Sequence, residues 1–101
     1  MIRILMTPEA DVWEPPMPDA DESGNIPAQQ AMAVSLARDI LRERRRLGLS
    51  QADLARRAGI RTVTLNRIER AVSRPNTAAV DKIEAALKTA RDKHRRLRST
   101  R

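Results

Sequence analysis

The stretch GLSQADLARRAGIRTVTLNRIER, residues 48–70, gathers side chains whose chemistry is to bond anions and hydrogen-bonding edges. Arg56, Arg57, Arg61, Arg67 and Arg70 supply guanidinium forks, and Gln51 and Asn66 supply amides. If residues 62–70 are helical, Val63, Asn66, Arg67 and Arg70 share the outer face, flanked by Thr62, while Leu65 and Ile68 turn inward. Catalytic chemistry finds no support. No metal-ligand cluster, no nucleophile beside a base and no phosphate-cradling loop is present, and no cofactor is implied. Ser50 reads as a helix cap, and His94 stands alone in a basic stretch as a solvated side chain.

Positioning these groups requires short helices, and the sequence punctuates them. Met32, Leu36, Ile40 and Leu47 recur at helical spacing, with Val34 and Leu41 widening the stripe, so a long first helix is expected from Ala28 until Gly48 ends it. Ser50 and Asp53 form a capping-box-like pair that opens a second helix of two turns, whose inner face is Leu54, Ala55 and Ala58. Gly59 is the corner, since the turn needs positive φ and glycine supplies it without steric cost. Arg61 or Thr62 opens the third helix, with Val72 following it. Asn76 or Thr77 caps a fourth, which carries Val80, Ile83, Ala86 and Leu87 inward. Ala55 is small because the second and third helices cross steeply and Leu65 must come close.

Composition bounds the rest. A chain of 101 residues holds one small domain plus tails, with little room for a deep cleft. Its net charge of +7 is uneven: residues 1–30 carry −5, residues 31–87 carry +6, and residues 88–101 carry +6. That asymmetry suits one end that neutralises a basic partner and another that meets a polyanion. Without cysteine there is no disulfide framework, and no apolar run reaches membrane-spanning length. The opening MIRILM is too short for a signal peptide, so a cytoplasmic protein with no membrane association is expected. Trp13 is the only aromatic residue, which leaves no stacking platform for single strands or RNA and favours duplex DNA.

Residues 44–87, RRRLGLSQADLARRAGIRTVTLNRIERAVSRPN followed by VDKIEAAL, resemble the Xre family, the Cro and lambda-repressor type of helix-turn-helix domain. The resemblance implies an all-α fold, a four- to five-helix lambda-repressor-like DNA-binding domain. An extended or partly disordered acidic N-terminal arm precedes it, in which residues 2–6 can form one short strand. It further implies that the third helix enters the major groove, with Thr62, Val63, Asn66 and Arg67 facing the bases. Arg67 can grip guanine O6 and N7, Val63 can rest on a thymine methyl, and Asn66 either reads adenine or holds a phosphate. By the same resemblance Gln51 binds phosphate at the start of the second helix, with Arg61, Arg70, Arg74 and Asn76 as further phosphate candidates. Arg44 and Glu69 match a partly buried structural ion pair between the first and third helices. The family usually has Gly where this chain has Ala71, which bears on how the third helix ends.

Three segments follow from this reading: an acidic, Pro-rich arm over residues 1–27, the helix-turn-helix domain over 28–90, and a basic C-terminal tail over 91–101 that frays. Arg38, Arg42, Arg45 and Arg46 read as a solvated face, and the tail either holds DNA weakly or only solubilises. In layout the chain is similar to HigA-like antitoxins of type II toxin-antitoxin pairs. That likeness implies an autoregulating repressor whose arm masks a small basic toxin through Ile2, Ile4, Leu5, Val12, Trp13 and Met17. Trp13 either anchors in that partner or folds back on its own first helix. The alternative role is a stand-alone regulator without a toxin. Either would act as a homodimer, paired through residues 80–87 or a neighbouring helix, on an inverted-repeat operator.

Overall fold

A computed structural model describes residues 13–72 and 76–99, with the side chains of Arg98 and Ser99 left aside. The described residues are all-α, with four helices and no strand: α1 (Ala28–Arg46), α2 (Gln51–Ala58), α3 (Thr62–Glu69) and α4 (Thr77–Ser99). The short strand expected at residues 2–6 lies outside them.

Local chemistry sets each boundary. Helix α1 ends on three basic residues that complement its C-terminal dipole. Gly48 at φ +71 then closes it, its N–H bonding the Arg45 carbonyl at 3.0 Å while the Leu49 N–H bonds that of Arg44 at 3.0 Å. At the start of α2 the Ser50 Oγ accepts from the Asp53 N–H at 3.0 Å and the Asp53 carboxylate accepts from the Ser50 N–H at 3.2 Å. Gly59, at φ +73, turns the chain out of α2 with the same pair of reversed bonds, from Gly59 to Arg56 and from Ile60 to Ala55. The Asn76 Oδ1 caps α4 by accepting from the Ala78 and Ala79 N–H groups.

Helix α3 ends in a similar motif without glycine. Ala71 stands at φ +56, its N–H bonding the Ile68 carbonyl at 3.1 Å and the Val72 N–H that of Arg67 at 3.3 Å. The backbone geometry of a glycine cap is therefore present on an alanine, whose Cβ makes it costly.

One core joins the four helices. Ile40, Leu54, Leu65 and Ile83 are its fully buried centre, lined by Ala55, Ala58, Ile68, Ala79, Ala86 and Leu87. Helix α2 lies on α3 and α4, and α1 spans both of those from the other side. The small Ala55 and Ala58 let these helices approach closely.

The structure corrects the expected face of α1. Met32 is 70% exposed, and the buried seam is Val34, Ala37, Ile40 and Leu41. Ala37, completely buried, marks the centre of the contact. A small residue is favoured there by close packing, but it contributes little to a hydrophobic stripe read by eye. Correspondingly, Ile83, Ala86 and Leu87 are spent in the chain's own core and are not free to pair a dimer, while Val80 is half-buried. Helix α4 also runs through residues 91–99, where fraying was expected. Asp92 pairs with Lys88 and Arg95 along its face, Ala90 is buried, and Arg91 reaches Glu43 of α1 at 3.2 Å.

The arm is not wholly detached either. Pro15 is fully buried, and the Arg38 Nε donates to its carbonyl at 2.9 Å. Arg42 grips the Glu14 carboxylate with two bonds, of 2.6 and 2.8 Å. Asp21 organises the return to α1, its Oδ1 accepting from the Ser23 and Asn25 N–H groups. Residues 14–27 thus form a strap along α1. Arg38 and Arg42, read from the sequence as a solvated face, are its clamps.

Candidate nucleic-acid interface

Helix α3 is held by its inner face and offers its outer one. Leu65 and Ile68 sink into the core, while Thr62, Val63, Arg67 and Arg70 are exposed, Val63 to 51%. Arg61, immediately before the helix, is exposed as well. Among the described residues the guanidinium groups of Arg61, Arg67 and Arg70 have no hydrogen-bonding or ionic partner. Three unpaired cations on one short segment are suited to meet phosphates and base edges.

Beneath that face lies a polar network. Glu69, 1% exposed, accepts from the Arg44 Nε at 2.7 Å and Nη2 at 3.0 Å, and from the Gln51 Nε2 at 3.0 Å. The remaining Arg44 fork reaches the Leu49 carbonyl at 2.9 Å. Gln51 also donates to the Asn66 Oδ1 at 3.3 Å. No buried side-chain polar atom among the described residues lacks a partner. The network links the end of α1, the start of α2 and the body of α3, so α3 is registered against both neighbours.

This arrangement sorts the residues singled out from the sequence. Thr62, Val63 and Arg67 are together on the outer face of α3. Asn66 is half-buried and engaged by Gln51, so its side chain leans towards the scaffold rather than standing free for a base. The Gln51 amide nitrogen is directed inward, donating to Glu69 and to Asn66, the orientation that avoids oxygen against oxygen; its carbonyl oxygen can only accept, so the donors left for a phosphate here are backbone N–H groups of the first turn. Asn76 is exposed but its Oδ1 serves α4 as a cap. Arg74, Ile2, Ile4, Leu5 and Val12 lie outside the described residues. Trp13, just before the strap, and Met17 on it remain exposed, at 44% and 42%, well apart in the sequence from the residues of α3.

Sequence reasoning missed Glu14 and Pro15 as parts of the folded domain. Nothing local marks them, since the Glu14 to Arg42 contact spans 28 residues.

A short helix docked across its predecessor at a glycine corner, with unpaired cations outward and a buried ion pair behind, defines a helix-turn-helix DNA-binding module. The chain belongs to the helix-turn-helix family of the Xre and Cro/lambda-repressor type, which matches residues 40–93, more than half of its length. No curated protein and no solved structure matches it significantly. Among the described residues no helix is long and apolar enough to cross a membrane, and no group of acids and histidine could hold a metal ion.

Proposed function

We propose that this DNA-binding regulator is a sequence-specific repressor that reads duplex DNA in the major groove through Val63 and Arg67, with Thr62 beside them. The observation that carries the reading is the unpaired Arg67 beside exposed Val63 on a helix locked from behind by Glu69. Arg61 and Arg70 bracket these residues and fit phosphates on either side of the groove. Arg74, Asn76 and the first turn of α2 at Gln51 are further phosphate positions on this reading. Acting as a homodimer, it would place two copies of α3 on half-sites about 34 Å apart. Arg67→Ala should cost about 1 to 3 kcal/mol at one base position and relax choice there. The test is binding to a selected operator and its single-base variants. Discrimination that survives intact at every position would sink the assignment.

A second reading, an antitoxin role, is supported by exposed Trp13 and Met17 on an acidic strap. These two side chains, with Ile2, Ile4, Leu5 and Val12, suit a small basic toxin with an apolar pocket. Because Pro15 belongs to the fold, the informative variant is Trp13→Ser with Met17→Ser rather than deletion of the arm. A small basic protein that co-purifies with the wild type and is lost from this variant supports the antitoxin role. The absence of any such protein from both favours a stand-alone regulator.

A further inference from the structure

The strap carries more acid than the chain neutralises. Residues 13–27 hold four acids and no base. Glu14 is answered by Arg42, and Asp21 is spent on the turn that returns to α1. Asp19 and Glu22 are exposed, and their carboxylates have no partner among the described residues. The neighbouring part of α1 has no base to offer them. By Pro18 the strap has reached Gln29, Gln30 and Ala33, and residues 28–37 carry no charge at all. Met17, exposed, stands beside these acids.

Helix α4 leaves the opposite charge at the other end of α1. It packs inward with Ile83, Leu87 and Ala90, and Leu97 continues that stripe past the core, where it is 65% exposed. In these last turns Asp92 answers Lys88 and Arg95, and Glu43 of α1 answers Arg91. No acid follows Asp92 in the chain. Lys93, one turn before Leu97, is exposed with no side-chain partner among the described residues, and exposed Arg96 flanks them both. Duplex DNA is the weaker candidate to meet this end, because Lys93 stands about 24 Å along α4 from Thr77, the end that follows α3.

Between the two patches a groove of about 410 Å³ brings together Asp39, Arg42, Glu43, Glu84 and Arg91, charges of both signs. Helix α1 spans about 28 Å, so this face is negative at one end, mixed in the middle and positive at the other. Turned end for end about a two-fold axis, such a face complements itself. We propose that it is the homodimer contact, in which Asp19 and Glu22 of one copy meet Lys93 and Arg96 of the other. The same contact recurs across the axis, and Met17 and Leu97 supply apolar area to bury. The proposal rests on the homodimer of the DNA-binding reading and gives it a face, where Ile83, Ala86 and Leu87 are consumed by the core. Contacts of this exposed kind are individually modest and weaken with salt.

The test is sedimentation velocity of the full chain without DNA, over a concentration series at low and at high salt. The samples are wild type, a strap variant Asp19→Lys/Glu22→Lys, an α4 variant Lys93→Glu/Arg96→Glu, and the two variants mixed in equal amounts. All four side chains are exposed, and circular dichroism checks that each variant is folded. Wild type should form a reversible dimer that weakens with salt. Each variant alone should dissociate more readily, by about tenfold or more, since like charges then meet at both copies of the contact. The mixture should regain the dimer, because new lysines on one strap meet new glutamates on the other copy's α4. Undiminished dimers of both variants, or a mixture no better than its parts, overturn this face and leave the homodimer to another. Wild type that stays monomeric at every salt overturns the face and the free homodimer together, with base reading by Arg67 still open to its own test. An α4 variant that dimerises as wild type does but binds a random duplex less tightly gives the basic end to DNA and overturns the proposal.

Discussion

Replacing Ala71 with glycine should stabilise this protein, although most substitutions do the reverse. Ala71 holds φ +56 because the reversed bonds from Ala71 to Ile68 and from Val72 to Arg67 close the end of α3. The left-handed region costs an L-residue about 1 to 2 kcal/mol, and glycine avoids that cost. Against it, glycine makes the unfolded chain freer, by about 0.4 to 1 kcal/mol. Losing the half-buried methyl removes a few tenths more, as a fraction of the ~0.8 kcal/mol for a buried methylene. At the middle of these ranges the net gain is about 0.5 kcal/mol, which for a domain this small raises the melting temperature by about 2 to 4 °C. Thermal unfolding followed by circular dichroism reads the shift, with Ala71→Val as the counterpart that should destabilise, since a β-branched side chain tolerates positive φ worst. A glycine variant that melts at or below the wild-type temperature, together with a valine variant no worse than it, would refute the account of how α3 is capped.

Two further predictions concern the charged groups. Glu69→Ala should destabilise by about 3 to 5 kcal/mol in denaturant unfolding, because the Arg44 guanidinium is left nearly buried without its partner. A loss below about 1 kcal/mol would mean the network is ornamental, whereas Arg44→Leu/Glu69→Leu should recover part of the stability. For Glu14 the folded protein holds the carboxyl below its ordinary value of 4.5, chiefly through the hydrogen bonds from Arg42. A depressed folded value contributes stability at pH above the ordinary one, and that contribution is lost as pH falls below 4.5. Trp13, one residue from Glu14, should report the loosening as a fluorescence step in acid that Glu14→Gln lacks. An identical step in both would detach Trp13 from the clamp.

What the sequence disclosed and what it concealed divide by range. The Ser50–Asp53 box, Gly48, Gly59 and the Asn76 cap are interactions over two to five residues, and each is readable from neighbours alone. The outward phase of Thr62, Val63 and Arg67 follows from helical geometry once Leu65 and Ile68 are taken as core. The face of α1 was harder, because its contact centres on Ala37, and a stripe drawn through the large residues swings Met32 to the wrong side. The clamp between Glu14 and Arg42 was invisible, since an arginine on an amphipathic helix looks solvated until the chain that returns to it is known. The extension of α4 depended on Asp92 and Glu43 answering a basic run, one of them from another helix.

Helix α3 has only eight residues, too few to persist as a helix by itself. Its order is borrowed: Leu65 and Ile68 are fixed in the core against α1 and α2, and Glu69 is held by donors from two segments that precede it. Side chains carried on so constrained a helix have already lost much of the backbone entropy that binding would otherwise charge against affinity. Gln51 links that order to the surface, because the residue that donates to Glu69 also engages Asn66, next to Arg67. A change at Glu69 mild enough to leave the protein folded should therefore still weaken recognition, through Gln51 and Asn66. The buried end of the network and the exposed face of α3 are one mechanical unit.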